Sequence, residues 1–486
     1  MKAAKIFLKE DGKVKEVRQG IVKVTGFSYC ARGQIVKFGY DTMGMIIGFN
    51  QDETSVLLLK EREKIRAGDK AVSYLKDFTI PVGSGCLGRI VNALGEPSQG
   101  GSIEPKEHYP VFRQAPSLLD RVPIQETLET GLKIVDMLTP LGNGQRQLII
   151  GDRLTGKTSV ATDIILSQKD KEVICIYCFV GKTESSLLNV IELFNQKQAF
   201  DYTVIVSAPA YSSIGQQYLA PYAACALGEY FMHKGRKVLV VFDDLTKHAW
   251  IYRQISLLLD RPPGRDAYPG DIFYIHSQLM ERAAKLSREK LGGSMTFLPI
   301  IETLQGDVTG YISSNLISMT DGQIYLSSDL FKEGFKPAID LGLSVSRIGS
   351  KAQWPAIREL SAGLRLEYLR YKEEERLMRM NLRLSEELEV RLRRGQILYE
   401  LLKQNRGSPI SLSEQVVLFY AYQQGLLDNL SLEKLRLAKK ELFAFLNCRT
   451  TELINEIKEK KELTSQIKEK LDTILKEYFS QRPISH

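Results

Sequence analysis

The sequence predicts a multidomain α/β protein with three parts: an N-terminal β-barrel, a central P-loop domain built on a parallel sheet, and a C-terminal α-helical bundle. Three observations predict this order. Short alternating apolar runs fill residues 18–60, apolar runs alternate with amphipathic helical windows from residue 147 onward, and strand patterns end after residue 347. We place the domain limits at residues 1–78, 79–353 and 354–486.

The barrel is predicted from four short runs that Gly, Asn and Asp interrupt every eight to twelve residues. The runs cover residues 21–24, 34–38, 44–48 and 55–59. This spacing is typical of a small barrel or sandwich. We expect the first strand to begin after residue 15.

The central domain is predicted from longer apolar runs, which are typical of strands buried on both faces. These runs are residues 148–150, 173–180, 203–207, 238–242 and 297–301. Helical windows such as 158–169 and 216–233 separate them, so we expect helices on both faces of a parallel sheet. Cys175 and Cys178 lie in one strand at positions that face opposite ways, which argues against a shared metal or redox site.

The C-terminal part is predicted to be helical because apolar residues recur at spacings of three and four in residues 357–388 and 430–445. An apolar stripe in residues 453–478 continues this pattern with Lys and Glu between its members. We expect this stripe to pack against its own bundle.

Composition excludes several classes of protein. The chain has 486 residues with 66 basic and 58 acidic side chains, a mild excess that does not require a nucleic-acid partner. It contains no run of 18 apolar residues and no secretory leader, so we expect a soluble protein. Its six cysteines lack a paired spacing and its five histidines lack a zinc spacing.

A phosphate-binding loop follows the first strand of the central domain. The P-loop pattern is matched by Gly151, Asp152, Arg153, Leu154, Thr155, Gly156, Lys157 and Thr158. Glycines let backbone N–H groups turn toward a phosphate, and the helix that follows adds favourable dipole charge. The pattern assigns Lys157 to the β- and γ-phosphate oxygens and the Thr158 hydroxyl to Mg²⁺.

An acid at the end of the apolar run 238–242 is the predicted second Mg²⁺ ligand. A carboxylate there is costly unless it is paired or bound to metal. Asp243 is preferred over Asp244, because consecutive side chains of a strand face opposite ways.

Hydrolysis also needs a group that orients the attacking water, commonly a carboxylate or Gln near the end of a neighbouring strand. The run 173–180 is followed by Gly181 and then Lys182. A protonated lysine cannot act as a base, which indicates a non-hydrolysing site. The sequence leaves two partners open for this ammonium, a phosphate or Glu184.

Five stretches of the chain carry a resemblance to a known family: QRQLIIGDRLTGKT at 145–158, QYLAPYA at 217–223, RPPGRDAYPGD at 261–271, DGQI at 321–324 and GLSVSR at 342–347. With these stretches the chain closely resembles alpha subunits of F-type ATP synthases along nearly its whole length. In the family, catalytic beta subunits carry Glu and alpha subunits carry Gln at the position of Lys182.

The resemblance implies a subunit that binds ATP or ADP with Mg²⁺ and alternates with catalytic beta subunits in a hexamer around a central gamma stalk. A peripheral-stalk delta subunit and an indirect attachment to the cytoplasmic face of the plasma membrane, through a proton-channel sector, are implied as well. Arg347 matches an arginine finger that reaches the γ-phosphate held by beta, and Ser318 matches an interface serine. Phe331 and Gln404 match positions around the adenine pocket.

The chain also departs from the family. Leu154, Lys336 and residues 405–407 differ from the usual residues near the nucleotide, and Asp260 replaces a base near the bearing of the central stalk. The stator-binding helix expected before the barrel is not recognisable in residues 1–15. Two alternatives therefore remain: an alpha-like subunit of a rotary ATPase uncoupled from proton transport, and a self-sufficient hexameric motor of the helicase or export type.

Overall fold

The computed structural model describes residues 9–98, 101, 103–104, 107–378, 386–449 and 451–480. These residues form the predicted sequence of a barrel, a sheet covered by helices, and a helical region. The predicted barrel limit at residue 78 falls between the last barrel strand and the strand that follows it.

The N-terminal part is a closed six-stranded barrel. Its strands are β1 (Lys9–Arg18), β2 (Ile21–Thr25), β3 (Gln34–Phe38), β4 (Thr42–Phe49), β5 (Thr54–Lys60) and β6 (Lys70–Asp77), paired in the order β1-β2-β5-β4-β3-β6. The four predicted runs are confirmed as β2 to β5. The prediction that the first strand begins after residue 15 is wrong, because β1 begins at Lys9. β1 was missed because charged residues fill most of it and only Gly12 and Val14 are buried.

A segment of short elements joins the barrel to the P-loop strand. It contains β7 (Thr79–Val82), β8 (Ile90–Val91), β9 (Glu107–Pro110), β10 (Thr127–Leu128), α1 (Lys133–Leu138) and β11 (Leu141–Gly142). β8 pairs with β14 at the edge of the central sheet, which ties this segment to that sheet.

The central sheet is built from β8 and from β12 (Leu148–Gly151), β13 (Val173–Val180), β14 (Thr203–Ala208), β15 (Lys237–Asp243), β16 (Ala284–Lys285), β17 (Ser294–Glu302), β18 (Gly322–Leu326) and β19 (Val345–Ser346). Seven of these strands lie side by side and parallel in the order β18-β12-β17-β15-β13-β14-β8, with β19 antiparallel at one edge. The helices are α2 (Lys157–Leu166), α3 (Glu184–Gln196), α4 (Ile214–His233), α5 (Leu245–Leu258), α6 (Ile272–Met280), α7 (Tyr311–Met319), α8 (Ser328–Lys332) and α9 (Gly349–Ala352).

Both faces of this sheet are buried, as predicted. Along β13, Cys175 and Tyr177 belong to one hydrophobic core, whereas Ile176 and Cys178 belong to the core on the other face. The two thiols therefore lie on opposite sides of the strand, which confirms that they cannot share a ligand.

The C-terminal region is helical. It contains α10 (Pro355–Ser361), α11 (Leu364–Met378), α12 (Glu386–Leu402), α13 (Leu412–Gln423), α14 (Leu432–Arg449), α15 (Thr451–Lys460) and α16 (Ser465–Ser480). The helical window 357–388 contains a break, because α10 ends two residues before Gly363, whose φ of 85° does not fit a helix. Part of that window, residues 379–385, lies outside the described residues.

The apolar stripe of the last two helices packs inward, as predicted. Leu453, Ile457, Ile467, Leu471 and Tyr478 are buried in the same core as α12 and α13. In the described part of the chain, no helix combines the length and apolar character needed to cross a bilayer.

Candidate nucleotide site

The site lies where the carboxyl ends of parallel strands meet, the usual position for a ligand in an open α/β sheet. The P-loop connects β12 to α2, with Leu154 at a φ of 62° and Gly156 at 98°. These left-handed conformations turn the loop back over the first turn of α2. The Leu154 side chain is 91% exposed, so it lies on the outside of the loop.

Asp152 fixes the loop to its surroundings. Its carboxylate accepts hydrogen bonds from the Thr303 hydroxyl at 2.7 Å, the Gly306 N–H at 2.8 Å and the Ser328 hydroxyl at 3.0 Å. Burial opposes the charge, but these hydrogen bonds outweigh it and lower the pKa of Asp152. Asp152 thus holds the P-loop rather than projecting into the cavity.

Lys157 is buried beneath the loop. Its Nζ donates to the carbonyl oxygens of Gly151 at 2.9 Å and Asp152 at 2.5 Å. Burial lowers the pKa of Lys157, while nearby carboxylates, Glu302 first among them, act in the opposite direction. This position presents the ammonium to whatever anion the loop encloses.

Both Asp243 and Asp244 line the cavity at the P-loop, but Asp243 is the one that contacts Thr158. Asp243 is 1% exposed, and its Oδ2 accepts hydrogen bonds from the Thr158 hydroxyl at 2.9 Å and the Tyr177 hydroxyl at 2.5 Å. Asp244 instead caps α5 by accepting from the Lys247 N–H at 2.8 Å. The structure therefore brings together the two predicted metal ligands, Thr158 and Asp243.

A third group meets these two. Lys182 follows β13, next to β15 in the sheet, and its Nζ lies 2.8 Å from Asp243 Oδ2 and 3.2 Å from Thr158 Oγ1. The sequence left a phosphate or Glu184 as the partner of Lys182, and the observed partner is a different group, the Asp243 carboxylate. Mg²⁺ requires oxygen ligands at about 2.0–2.1 Å in a near-octahedral shell. With an ammonium in contact with both predicted ligands, this arrangement does not fit Mg²⁺.

Lys157, Thr158, Lys182 and Asp243 line a cavity of about 780 Å³. Glu302, at the end of β17, also faces it, with Oε2 3.6 Å from Lys247 Nζ and 3.7 Å from Arg153 Nε. Sequence reasoning missed Glu302, although it ends an apolar run in the same way as Asp243 does. Two flanking cations offset its charge.

Of the two residues predicted to lie around adenine, only Phe331 lines the cavity. Phe331, on α8, is 37% exposed and lines the cavity, with Lys336 Nζ 5.0 Å from its ring centroid. Gln404 does not line the cavity; Arg406 lines it instead. The Gln404 amide accepts from the Lys133 N–H at 3.0 Å and donates to two backbone carbonyls at 2.7 and 2.8 Å.

Internal hydrogen bonds thus occupy the Gln404 amide, which fixes the loop that carries Arg406. Asp163 on α2 anchors the same loop by accepting from the Gly407 N–H at 3.0 Å. Burial raises the pKa of Asp163 to about 6. The wall of the cavity near Phe331 is therefore built by residues that differ from the expected ones.

Arg347 and Ser318 lie away from this cavity, on the surface. The Arg347 side chain is exposed just beyond the edge strand β19, and its N–H donates to the Asp321 carbonyl at 2.9 Å. Ser318 is exposed on α7, where its hydroxyl donates to the carbonyls of Ser314 and Asn315 at 3.0 and 2.8 Å. Neither residue is among those that line the cavity.

The serine that precedes Arg347 fixes its backbone. Ser346 Oγ donates to the Pro140 carbonyl at 2.7 Å and accepts from the Gly349 N–H at 3.1 Å and the Gln145 amide at 3.2 Å. Arg347 is thus an exposed cation on a firmly held backbone.

Known sequences place the chain in context. A family model described as ATP synthase alpha/beta family, nucleotide-binding domain, matches residues 131–346, and one described as ATP synthase alpha/beta chain, C terminal domain, matches residues 353–478. Proteins named ATP synthase subunit alpha from Clostridium botulinum strains Eklund 17B and Alaska E43 are each 45% identical over 470 residues. Those alignments cover 96% of this chain and 93% of the relatives.

Proposed function

The chain belongs to the ATP synthase alpha/beta family, as an alpha subunit, and from this premise we propose that it binds ATP or ADP without hydrolysing it and lends Arg347 to an active site on a neighbouring subunit. The position of Lys182 carries the first part of this proposal. The exposed position of Arg347 supports the second.

The nucleotide phosphates would lie in the P-loop. Backbone N–H groups of the loop and the amino end of α2 supply partial positive charge, and Lys157 adds a full charge beneath them. The base would contact the cavity wall that Phe331 and Arg406 form, where an aromatic ring and a planar guanidinium can both stack on a purine.

Turnover needs a group that orients or deprotonates water. Next to the expected place of the γ-phosphate the chain has the Lys182 ammonium, bound to Asp243 at 2.8 Å. Asp243 Oδ2 already accepts three hydrogen bonds, one of them from this ammonium, so it is engaged by protein groups rather than by a water molecule. Glu302 is flanked by two cations, so we propose that it does not activate water either.

Arg347 is too far from its own P-loop to serve it. In the pairing of β12 with β18, Gly151 at the start of the P-loop lies beside Leu326. Ser346, which precedes Arg347, pairs with Gly322 at the other end of β18. Four residues of strand separate the two positions by roughly 13 Å, more than an arginine side chain spans. A planar guanidinium suits the charge that develops on a transferring phosphoryl group, so a neighbouring site is its proposed target.

In the assembly we propose, this chain alternates with catalytic beta subunits around a central gamma stalk and takes part in proton-coupled ATP synthesis or hydrolysis. Its place is the cytoplasmic face of the plasma membrane, reached through a proton-channel sector, with a delta subunit at the periphery. Relatives named ATP synthase subunit alpha do not favour the uncoupled or self-sufficient motors considered above.

Replacing Arg347 in a reconstituted complex with beta and gamma subunits tests the proposal. Arg347→Ala is expected to lower ATP turnover of the complex by about 10³-fold or more, as for other arginine fingers, and to leave nucleotide binding by this chain intact. Arg66→Ala removes the same charge from the exposed surface of the barrel and serves as the control. Normal turnover in the Arg347→Ala complex would contradict the proposed role.

A further inference from the structure

Three hydrogen-bond donors converge on a single buried carboxylate oxygen. Asp243 Oδ2 accepts from Thr158 Oγ1 at 2.9 Å, Lys182 Nζ at 2.8 Å and Tyr177 Oη at 2.5 Å. Lys182 Nζ also lies 3.2 Å from Thr158 Oγ1. The ammonium therefore contacts both oxygens that a P-loop site offers to a metal ion.

The ammonium is held firmly in this position. The Lys182 side chain is 20% exposed, and its ion-pair partner is 1% exposed. Its Nζ also lies 5.7 Å from the ring centroid of Phe179, the β13 residue that pairs with Asp243. A second cation at the same oxygens would have to displace the first, because two positive charges a few ångströms apart repel each other.

An ammonium can perform part of the work of a metal ion. It carries one positive charge and three donors, which can bridge the Asp243 carboxylate and a phosphate oxygen at hydrogen-bond distance. Mg²⁺ carries twice the charge but needs a near-octahedral set of oxygen ligands. Lys182 therefore supplies a fixed countercharge for phosphate without a divalent ion.

We propose that the Lys182 ammonium takes the place of Mg²⁺, so that this chain binds metal-free nucleoside triphosphate or diphosphate. This inference rests on the proposed function, because it requires that the cavity accept a nucleotide. It concerns only which cation accompanies the phosphates.

ATP affinity of the nucleotide-depleted, full-length chain tests the inference, measured by titration calorimetry in EDTA and in excess Mg²⁺. For the natural chain we expect tighter binding in EDTA than in excess Mg²⁺, because Mg²⁺ converts most of the ATP in solution into a complex that the site does not accept. For Lys182→Gln we expect affinity in EDTA to fall by about tenfold or more, and Mg²⁺ to restore it through the freed Asp243 carboxylate.

Lys247→Gln is the matched control. Lys247 lines the same cavity, but its Nζ faces Glu302 at 3.6 Å. We expect this change to affect ATP affinity equally in EDTA and in Mg²⁺, so the ratio of the two dissociation constants stays that of the natural chain.

Bound metal gives a readout independent of affinity. With Mn²⁺ and ATP, electron paramagnetic resonance is expected to detect a metal ion coordinated by the protein in Lys182→Gln and not in the natural chain. A natural chain that binds ATP at least about tenfold more tightly with Mg²⁺, or that coordinates Mn²⁺ as the variant does, would overturn the inference. Failure to bind ATP under either condition would overturn the proposed function itself, so the two failures are distinguishable.

Discussion

Replacing Asp243 with Asn should strengthen the binding of metal-free ATP. In the P-loop sites that use Mg²⁺, this carboxylate holds the metal, so its loss weakens nucleotide binding. Here it neutralises the Lys182 ammonium at 2.8 Å. Asn keeps one side-chain oxygen for the Thr158 and Tyr177 hydroxyls, and it replaces the charged carboxylate with a neutral amide.

The size of the effect follows from the geometry. Asp243 Oδ2 lies 2.8 Å from Lys182 Nζ. A phosphate oxygen that accepts another N–H of this ammonium would lie up to about 6 Å from the carboxylate. At an effective dielectric constant of about 20, two unit charges at this distance repel by about 3 kcal/mol. Solvent in the open cavity reduces this, so we expect a gain of about 1–2 kcal/mol, or about five- to thirtyfold in affinity.

Titration calorimetry with ATP in EDTA at pH 6 measures this gain. Asp244→Asn is the control, because Asn still caps α5 and because burial raises the pKa of Asp244 to about 7, so its carboxyl is mostly uncharged at that pH. We expect a clearly smaller change in that variant. Weaker binding of metal-free ATP by Asp243→Asn would refute the role of Asp243 as a countercharge for Lys182.

Three further predictions concern stability and the presentation of Arg347. Glu229→Gln removes the charge partner of the buried Arg282, whose guanidinium now donates to both Glu229 oxygens at 2.7 and 2.9 Å. We expect the free energy of unfolding to fall by about 3–5 kcal/mol, measured as a lower urea midpoint. A loss below about 1 kcal/mol would contradict this expectation. For Asp163, the folded pKa of about 6 lies above the ordinary 3.8, so its contribution to stability is present below pH 3.8 and is lost as pH rises through 6. Asp163→Asn should therefore gain about 1–3 kcal/mol over the natural chain between pH 4 and pH 8 in urea unfolding, and equal pH profiles would count against the burial of this charge. Ser346→Ala removes the three hydrogen bonds that fix the backbone next to Arg347, and it should lower ATP turnover of the complex by up to about tenfold. In a chain that already carries Arg347→Ala, the same change should cause no further loss of turnover. A further loss in that double variant would show that Ser346 does not act through Arg347.

Much of the fold could be predicted because its strands are either fully apolar or regularly alternating. β13 was predicted to the residue, since every side chain in it is buried. β1 could not be found in this way because charged residues fill most of it, and β6 because its buried positions hold the small residues Ala71 and Ser73. The break at Gly363 separates two helices whose apolar spacing continues across it, so periodicity alone did not reveal it.

The candidate site was predictable where one local pattern sets the geometry. The P-loop and the choice of Asp243 over Asp244 follow from a strand, its alternation and a turn. The partner of Lys182 depends on which strands are neighbours in the sheet, and β13 lies beside β15 although 61 positions separate Lys182 from Asp243. The role of Gln404 depends likewise on packing against α1, which sequence spacing does not encode.

The fate of a single bound ATP on the isolated chain tests the central claim most directly. The purified full-length protein is loaded with ATP labelled at the γ-phosphate, freed of excess nucleotide, and sampled over hours for released phosphate. Our account predicts that the label stays in ATP, and that turnover appears only in the complex with beta subunits. Release of labelled phosphate by the chain alone would contradict it.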